Sequence, residues 1–212
     1  MNDIFFTSDT HFGHAKIIEY CKRPFSSVEE MDEILIQNWN KTVSKGDTVY
    51  HLGDFCWRKQ KSPKWYWDQL NGNKILIKGN HDRHCFKELR FEPDSIMEVK
   101  ISRMQRLTLC HYPMQSWNAS YYGSYHLHGH THNLDSEYYF NPRLLPSGSR
   151  FGLMSQRLNV CVEKTDYRPI NLEEVESLIE KQMVEVAKEL DDEFEDLGTL
   201  IKNTRGDQND GC

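Results

Sequence analysis

Lys74-Ile75-Leu76-Ile77-Lys78-Gly79-Asn80-His81-Asp82 reads as a short buried strand that runs straight into a cluster of metal-capable side chains. The turn signal Asn71-Gly72-Asn73 delivers it. The same pattern recurs along the chain. Ile4–Ser8 is an apolar run ending at Asp9-x-His11, and Thr48–Leu52, after a turn at Gly46-Asp47, ends at Gly53-Asp54. Between Ile96 and Cys110 two strand-like runs flank Ser102–Gln105 as a hairpin, with His111 directly after the second. Tyr125–His128 precedes Gly129-His130-Thr131-His132, and Leu158–Val162 is a last strand.

Helical patterns alternate with these runs. Ser27-Val28-Glu29-Glu30 has capping-box spacing, and Met31, Ile34, Leu35 and Trp39 then share one helical face. Leu172–Leu190 is an amphipathic helix with Asn171 as its N-cap and Leu172, Val175, Leu178, Ile179, Met183, Val186 and Leu190 as its apolar stripe. Such alternation predicts an α/β chain. Residues 1–170 form the main domain, and 171–190 is a helix packed on it or forming a homodimer seam. Residues 191–212 are an acidic, flexible tail, and 135–156, without periodicity, is a long loop.

A chain of 212 residues builds one domain with a substantial core. The formal charge of −6 gives no global basic field, which argues against wrapping a duplex while allowing a local basic groove. No apolar run is long enough to span a membrane, and Met1–Phe6 lacks the pattern of a secretory signal. The six cysteines are scattered singly, so a reducing cytoplasm is expected.

Chemistry resides in the strand ends. Ligands gather beyond the carboxyl ends of strands in α/β sheets, where loops bring distant residues together. Two carboxylates (Asp9, Asp54), four imidazoles (His11, His111, His130, His132) and one carboxamide (Asn80) offer N/O ligands of hard to borderline character. No thiolate is among them, which disfavours a structural cysteine-type zinc site. The H-x-H spacing points both rings to one side. Singly these are weak signals, but five of them in order, each at a strand end, are not coincidence.

The ordered set Asp9-x-His11, Gly53-Asp54, Gly79-Asn80-His81-Asp82, His111 and Gly129-His130-Thr131-His132 resembles the signature of the calcineurin-like metallophosphoesterases. Ser8–His14 is similar to a subgroup of small bacterial and phage phosphoesterases. The resemblance implies a two-sheet β-sandwich flanked by helices, with a dinuclear metal site at the strand ends. It implies Asp9, His11 and His132 on one ion, Asn80, His111 and His130 on the other, and Asp54 bridging. It also implies that His81 protonates the leaving group, oriented and charged by Asp82. Two divalent cations are expected, Mn²⁺ favoured over Fe²⁺, Ni²⁺ or Zn²⁺, activating a bridging water for attack on phosphorus. The expected activity is a cytoplasmic phosphodiesterase acting on a nucleotide-like or cyclic phosphate. A nuclease on single strands or ends, a phosphomonoesterase and a non-catalytic metal-binding scaffold are the alternatives.

Further residues carry weaker expectations. His14, Arg23 and Arg83 are candidate substrate contacts, the arginines because a guanidinium grips phosphate with a fork of donors. Trp57–Trp67 interleaves cations and aromatics, as a base-stacking surface does and as a helix burying its indoles also does. His126 and His128 share strand parity with His130 and read as hydrogen-bonded interior histidines.

Overall fold

The computed structural model describes residues 2–57, 60–90, 94–103, 105–133, 156–185 and 188. Nearly all of the 135–156 segment and the whole 191–212 tail lie outside the described residues, as do Val186 and Leu190. Strands β1 (Ile4–Thr7), β2 (Thr48–His51) and β3 (Asn73–Leu76) run parallel in the order β3-β2-β1, and β8 (Ile170–Asn171) adds antiparallel to β1. A second four-stranded sheet has the order β4 (Ile96–Lys100), β5 (Arg106–Cys110), β6 (Tyr125–His128), β7 (Arg157–Asn159). Its β4–β5 pair is the expected hairpin, and β5, β6 and β7 are parallel.

The period of two along each strand explains the layering. Phe5, Val49 and Leu76 face one way, into a cluster with Met31, Leu35, Trp39 and Tyr66 from α2 (Val28–Thr42) and α3 (Pro63–Gln69). Phe6, Leu52 and Ile77 face the other way, against Leu107, Leu109, Leu127 and Leu158 of the second sheet. Two sheets therefore share one apolar layer, and helices cover the far face of the first. His126, buried behind the second sheet, meets the Thr108 carbonyl at 2.9 Å through Nδ1, while its Nε2 accepts from the Met114 backbone N–H at 3.1 Å. It is an interior histidine.

Local signals set the helix starts. Ser27 Oγ accepts from the Glu30 N–H at 3.1 Å and opens α2. Glu30 turns back one residue further than a capping box requires, onto the N–H and hydroxyl of Ser26. The helix α5, residues 172–185, begins with a reciprocal box in which Asn171 Oδ1 accepts from the Glu174 N–H and Glu174 Oε2 from the Asn171 N–H. Val175 and Ile179 of α5 are fully buried in the inter-sheet core. Strand β8 spans Ile170–Asn171, and Val175 and Ile179 pack α5 against the sheets. Short helices α1 (Ala15–Tyr20) and α4 (Arg83–Leu89) follow β1 and β3.

Phe6→Ala should cost about 3–5 kcal/mol, because it empties the fully buried position between the sheets. Ser27→Ala should cost only about 1 kcal/mol, one cap. Equilibrium urea unfolding of both variants checks the ranking; a larger loss for the cap would misplace the core.

Candidate metal centre

The parallel strands of both sheets end on one edge, and their loops are stitched together there. The Asp9 N–H donates to the Gly53 carbonyl and the His11 N–H to the Asp54 carbonyl, both at 3.0 Å. The Gly129 N–H donates to the His111 carbonyl at 3.0 Å, and the Val162 N–H to the Ser8 carbonyl at 3.1 Å. The His130 N–H then reaches across to Asp9 Oδ2 at 3.0 Å, joining the two sheets at the site. Gly79 and Gly129 pack so closely behind Asp54 and Asp9 that a Cβ on either would collide with the carboxylate.

The backbone of the site is strained. Asp9, His11, Asp54, His130 and His132 have φ of +57°, +50°, +56°, +72° and +49°. Left-handed backbone costs a non-glycine residue on the order of 1–3 kcal/mol, and such strain concentrates at functional sites.

Several candidate ligands share one construction: one atom is held by the protein and the other points inward. Asp9 Oδ2 accepts from His130 N–H and from the Cys161 thiol at 3.1 Å, while Oδ1 is buried without a partner. Asp54 Oδ1 accepts from the His81 N–H at 2.8 Å, leaving Oδ2 toward the site. His111 is held through Nδ1 by the Leu52 carbonyl at 2.9 Å, which turns Nε2 toward Asn80 Oδ1 at 2.8 Å and Asp54 Oδ2 at 3.5 Å. His132 is held through Nδ1 by Glu163 at 2.9 Å, which turns Nε2 toward Asp9 Oδ1 at 3.6 Å. His11 Nε2, also a buried orphan, lies 3.7 Å from Asp9 Oδ1 and 3.6 Å from Asp54 Oδ2. Donors about 2.0–2.2 Å from a shared ion lie roughly 3–3.5 Å apart, close to the 3.5–3.7 Å separations of Asp9, Asp54, His11, His111 and His132, which are long for hydrogen bonds, whereas His111 and Asn80 at 2.8 Å are hydrogen-bonded to each other. The donor set fits divalent cations.

Charge supports the same conclusion. Burial pushes the Asp54 carboxyl up to about 7, against the pull of His111 and with Asp9 and Asp82 adding to the rise. Burial alone would raise Asp9 too, but the neighbouring imidazoles, His11 first, hold it well below the carboxylate range. Burial drives His11 down to about 4 despite Asp9. A cation between these groups relieves both the buried carboxylates and the crowded imidazoles.

Asp82 has a different task from the one expected. Its carboxylate is fully buried and accepts from the N–H groups of Asp54, Phe55 and Gly79 at 2.6, 2.8 and 2.9 Å. These bonds consume its oxygens on the loop that carries Asp54, so it braces that loop in place of charging the His81 imidazole. Arg23 is a second correction. It is buried, donating to the carbonyls of Asp9 and Thr10 at 2.7 and 2.9 Å and to Glu163 at 2.8 Å. No donor of its fork is turned to the cleft. Arg83 is exposed at the start of α4 and lies outside the residues lining the cleft, whereas His14 lines it. His81, its side chain 44% exposed, sits at the rim with Nε2 4.0 Å from Asp54 Oδ2.

Glu163 and Cys161 went unseen in the sequence, although they follow β7 as the other site residues follow their strands. Glu163 ties Arg23 to His132, and its carboxyl is held below the usual range because His132 and Arg23 outweigh its burial. A carboxylate behind a ligand histidine fixes its ring and raises its basicity. Cys161, its thiol pushed far up by burial beside Asp9, keeps its proton and donates it. Glu163→Gln should therefore weaken Mn²⁺ binding about 10–100-fold, read by equilibrium dialysis with elemental analysis. Unchanged affinity would remove Glu163 from the metal centre.

Comparison with known proteins gives one family model and several similar proteins. The family model described as calcineurin-like phosphoesterase matches residues 3–170. An uncharacterized protein of Methanocaldococcus jannaschii is 37% identical over 190 residues, covering 87% of this chain and 95% of its own. A gene product of Mycobacterium phage L5 is 40% identical over 86 residues, and that match spans 39% of this chain and 41% of the phage protein. The crystal structure of a protein of unknown function from Aquifex aeolicus superposes with a TM-score of 0.61 at 26% identity, over 84% of this chain and 100% of that one. Among the described residues no helix is long and apolar enough to cross a membrane. With the family model covering most of the chain, and Asp9, His11, Asp54, Asn80, His111, His130 and His132 converging at one edge of the two sheets, this chain belongs to the calcineurin-like phosphoesterases.

Proposed function

We infer that this chain is a phosphodiesterase working with two divalent ions, Mn²⁺ favoured, on a nucleotide-like diester. The observation that carries the two-ion reading is the place of Asp54. Its Oδ2 stands 3.6 Å from His11 Nε2 on one side and 3.5 Å from His111 Nε2 on the other, between two groups of inward-facing donors. Asp9, His11 and His132 would hold one ion, Asn80, His111 and His130 the other, and Asp54 both. When bound, such ions supply Lewis acidity that neutralises phosphoryl oxygens and acidifies water near neutral pH.

The chain's own groups account for the remainder. His81 is the exposed imidazole at the rim, anchored by its backbone N–H on Asp54 Oδ1, and it can give a proton to the departing oxygen. A cleft of about 610 Å³ runs from the donors past His14, Lys16, Trp57 and Tyr20. That volume suits a substituent of ligand size on the phosphate, as a nucleotide-like diester carries. The nuclease reading is favoured only if the Trp57–Trp67 segment lines the cleft. Among the described residues of that segment Trp57 and Gln60 line it, whereas Tyr66 is fully buried and Trp67 packs on the core.

Mn²⁺-loaded protein should hydrolyse bis-p-nitrophenyl phosphate faster than p-nitrophenyl phosphate, and chelation should abolish the activity until metal is restored. Hydrolysis that persists after verified metal removal would overturn the reading. His81→Asn should retain metal yet lose about 10²–10⁴-fold on an alkyl diester, whose leaving oxygen needs the proton, and much less on a nitrophenyl diester. Equal losses on both, with metal loss, would make His81 a ligand.

A further inference from the structure

Trp57 is a large apolar side chain that serves neither hydrophobic core. Trp39 is buried and Trp67 packs against the same helical layer, whereas Trp57 stands in the cleft wall. Its indole lies parallel to the His14 imidazole, centroids 4.5 Å apart and planes 13° apart. It approaches the His81 ring at 5.3 Å, so the wall begins beside the donor cluster. Tyr20, 67% exposed, extends the wall, with its ring edge-on to His14 at 6.5 Å. Lys16 and Gln60 line the same cleft, adding a cation and an amide with both a donor and an acceptor.

Trp57 and His14 are half-buried and Tyr20 is exposed, and aromatics left partly open where they border a cleft have another use. The indole and imidazole stack on each other and leave their outer faces and edges, with the phenol set edge-on beside them, to meet a flat ring next to a phosphate-binding centre, and a neighbouring amide can read a base edge. We propose that Trp57, His14 and Tyr20 form a stacking subsite for a nucleobase, with Gln60 in reach of its polar edge. This rests on the phosphoesterase reading for the position of the phosphate, and it names the substrate class as nucleotides. An aliphatic or sugar phosphate would leave the wall uncovered. Base–aromatic stacking is tolerant of base identity, since every base has a π-face, so the subsite selects nucleotides over other phosphates more than one nucleotide over another.

The test compares AMP with ribose 5-phosphate, which share the sugar phosphate and differ in the base. Isothermal titration of the Mn²⁺-loaded protein, with product analysis confirming that both ligands stay intact, should show AMP binding about tenfold to a hundredfold more tightly. Trp57→Ala should collapse that ratio toward one, with the loss falling on AMP more than on ribose 5-phosphate. Trp57→Phe should keep most of the ratio, and Tyr20→Ala, at an exposed position that cannot endanger the fold, should lower it by a smaller factor. Equal binding of the two ligands by the wild type, or a ratio that survives Trp57→Ala, overturns the subsite. The two readings fail separately: hydrolysis of bis-p-nitrophenyl phosphate with no preference for AMP leaves the phosphoesterase without this subsite. A clear preference with no hydrolysis of any ester leaves a nucleotide site without the reaction.

Discussion

The Asp54 carboxylate is buried, pinned through Oδ1 by the His81 N–H, and left with Oδ2 facing His11 and His111. Much of the surrounding structure serves that placement. The buried Asp82 carboxylate gathers three N–H groups, from residues 54, 55 and 79, so the loops after β2 and β3 are held by one side chain. Gly79 permits those loops to touch. On the other side, Arg23 grips the carbonyls of Asp9 and Thr10 and the carboxylate behind His132. Charged groups taken from water are costly unless bonded; Asp82 and Arg23 are bonded throughout, while Glu163 Oε2 is left without a hydrogen-bond partner. The reward is rigidity, because ligands fixed before an ion arrives lose little freedom when it binds.

That rigidity has a cost in the backbone. Five of the residues facing the centre adopt left-handed φ, and nothing local favours it for aspartate or histidine beyond a mild tolerance. The strain is carried by the sheets. Phe6, Leu52, Leu107, Leu109 and Leu127 are fully buried between the two layers, and the parallel strands they anchor end at the same level. The core thus holds turns that would relax if the strands were free. Stability is gathered in the apolar layer and used at the edge where the donors meet.

Much of this was legible in the chain. Strands announced themselves as apolar runs, and a ligand motif after each one exposed the site, because a strand end projects its next residues to a common edge. The Ser102–Gln105 turn and the caps at Ser27 and Asn171 were local signals, and the structure has all three. What escaped were contacts whose partners lie far apart in sequence. Arg23 and Glu163 meet over 140 residues, and Asp82 reaches Asp54 over 28. Neither pair has a spacing to betray it. Arg23 read as a phosphate grip because guanidinium chemistry suits phosphate and buried carbonyls equally well, and only burial separates the two uses.

Asp82 shows the same ambiguity at shorter range. Adjacent to His81 in the chain, it invites the reading of a carboxylate charging an imidazole. Yet the chain turns at Asn80 and His81, and neighbours at a turn point apart: His81 goes outward to the rim, Asp82 inward to the backbone of the Asp54 loop. The inward carboxylate is worth more to the site there. His81 at the rim is open to solvent and lies 4.0 Å from Asp54 Oδ2, with no need of the Asp82 carboxylate for its placement. A loop that must hold a buried carboxylate in left-handed backbone has no other acceptor of comparable strength for its N–H groups, since charged acceptors bind about twice as strongly as neutral ones. Adjacency in the motif therefore joins two placements at one turn, an imidazole on the solvent side and a carboxylate bracing the Asp54 loop on the other.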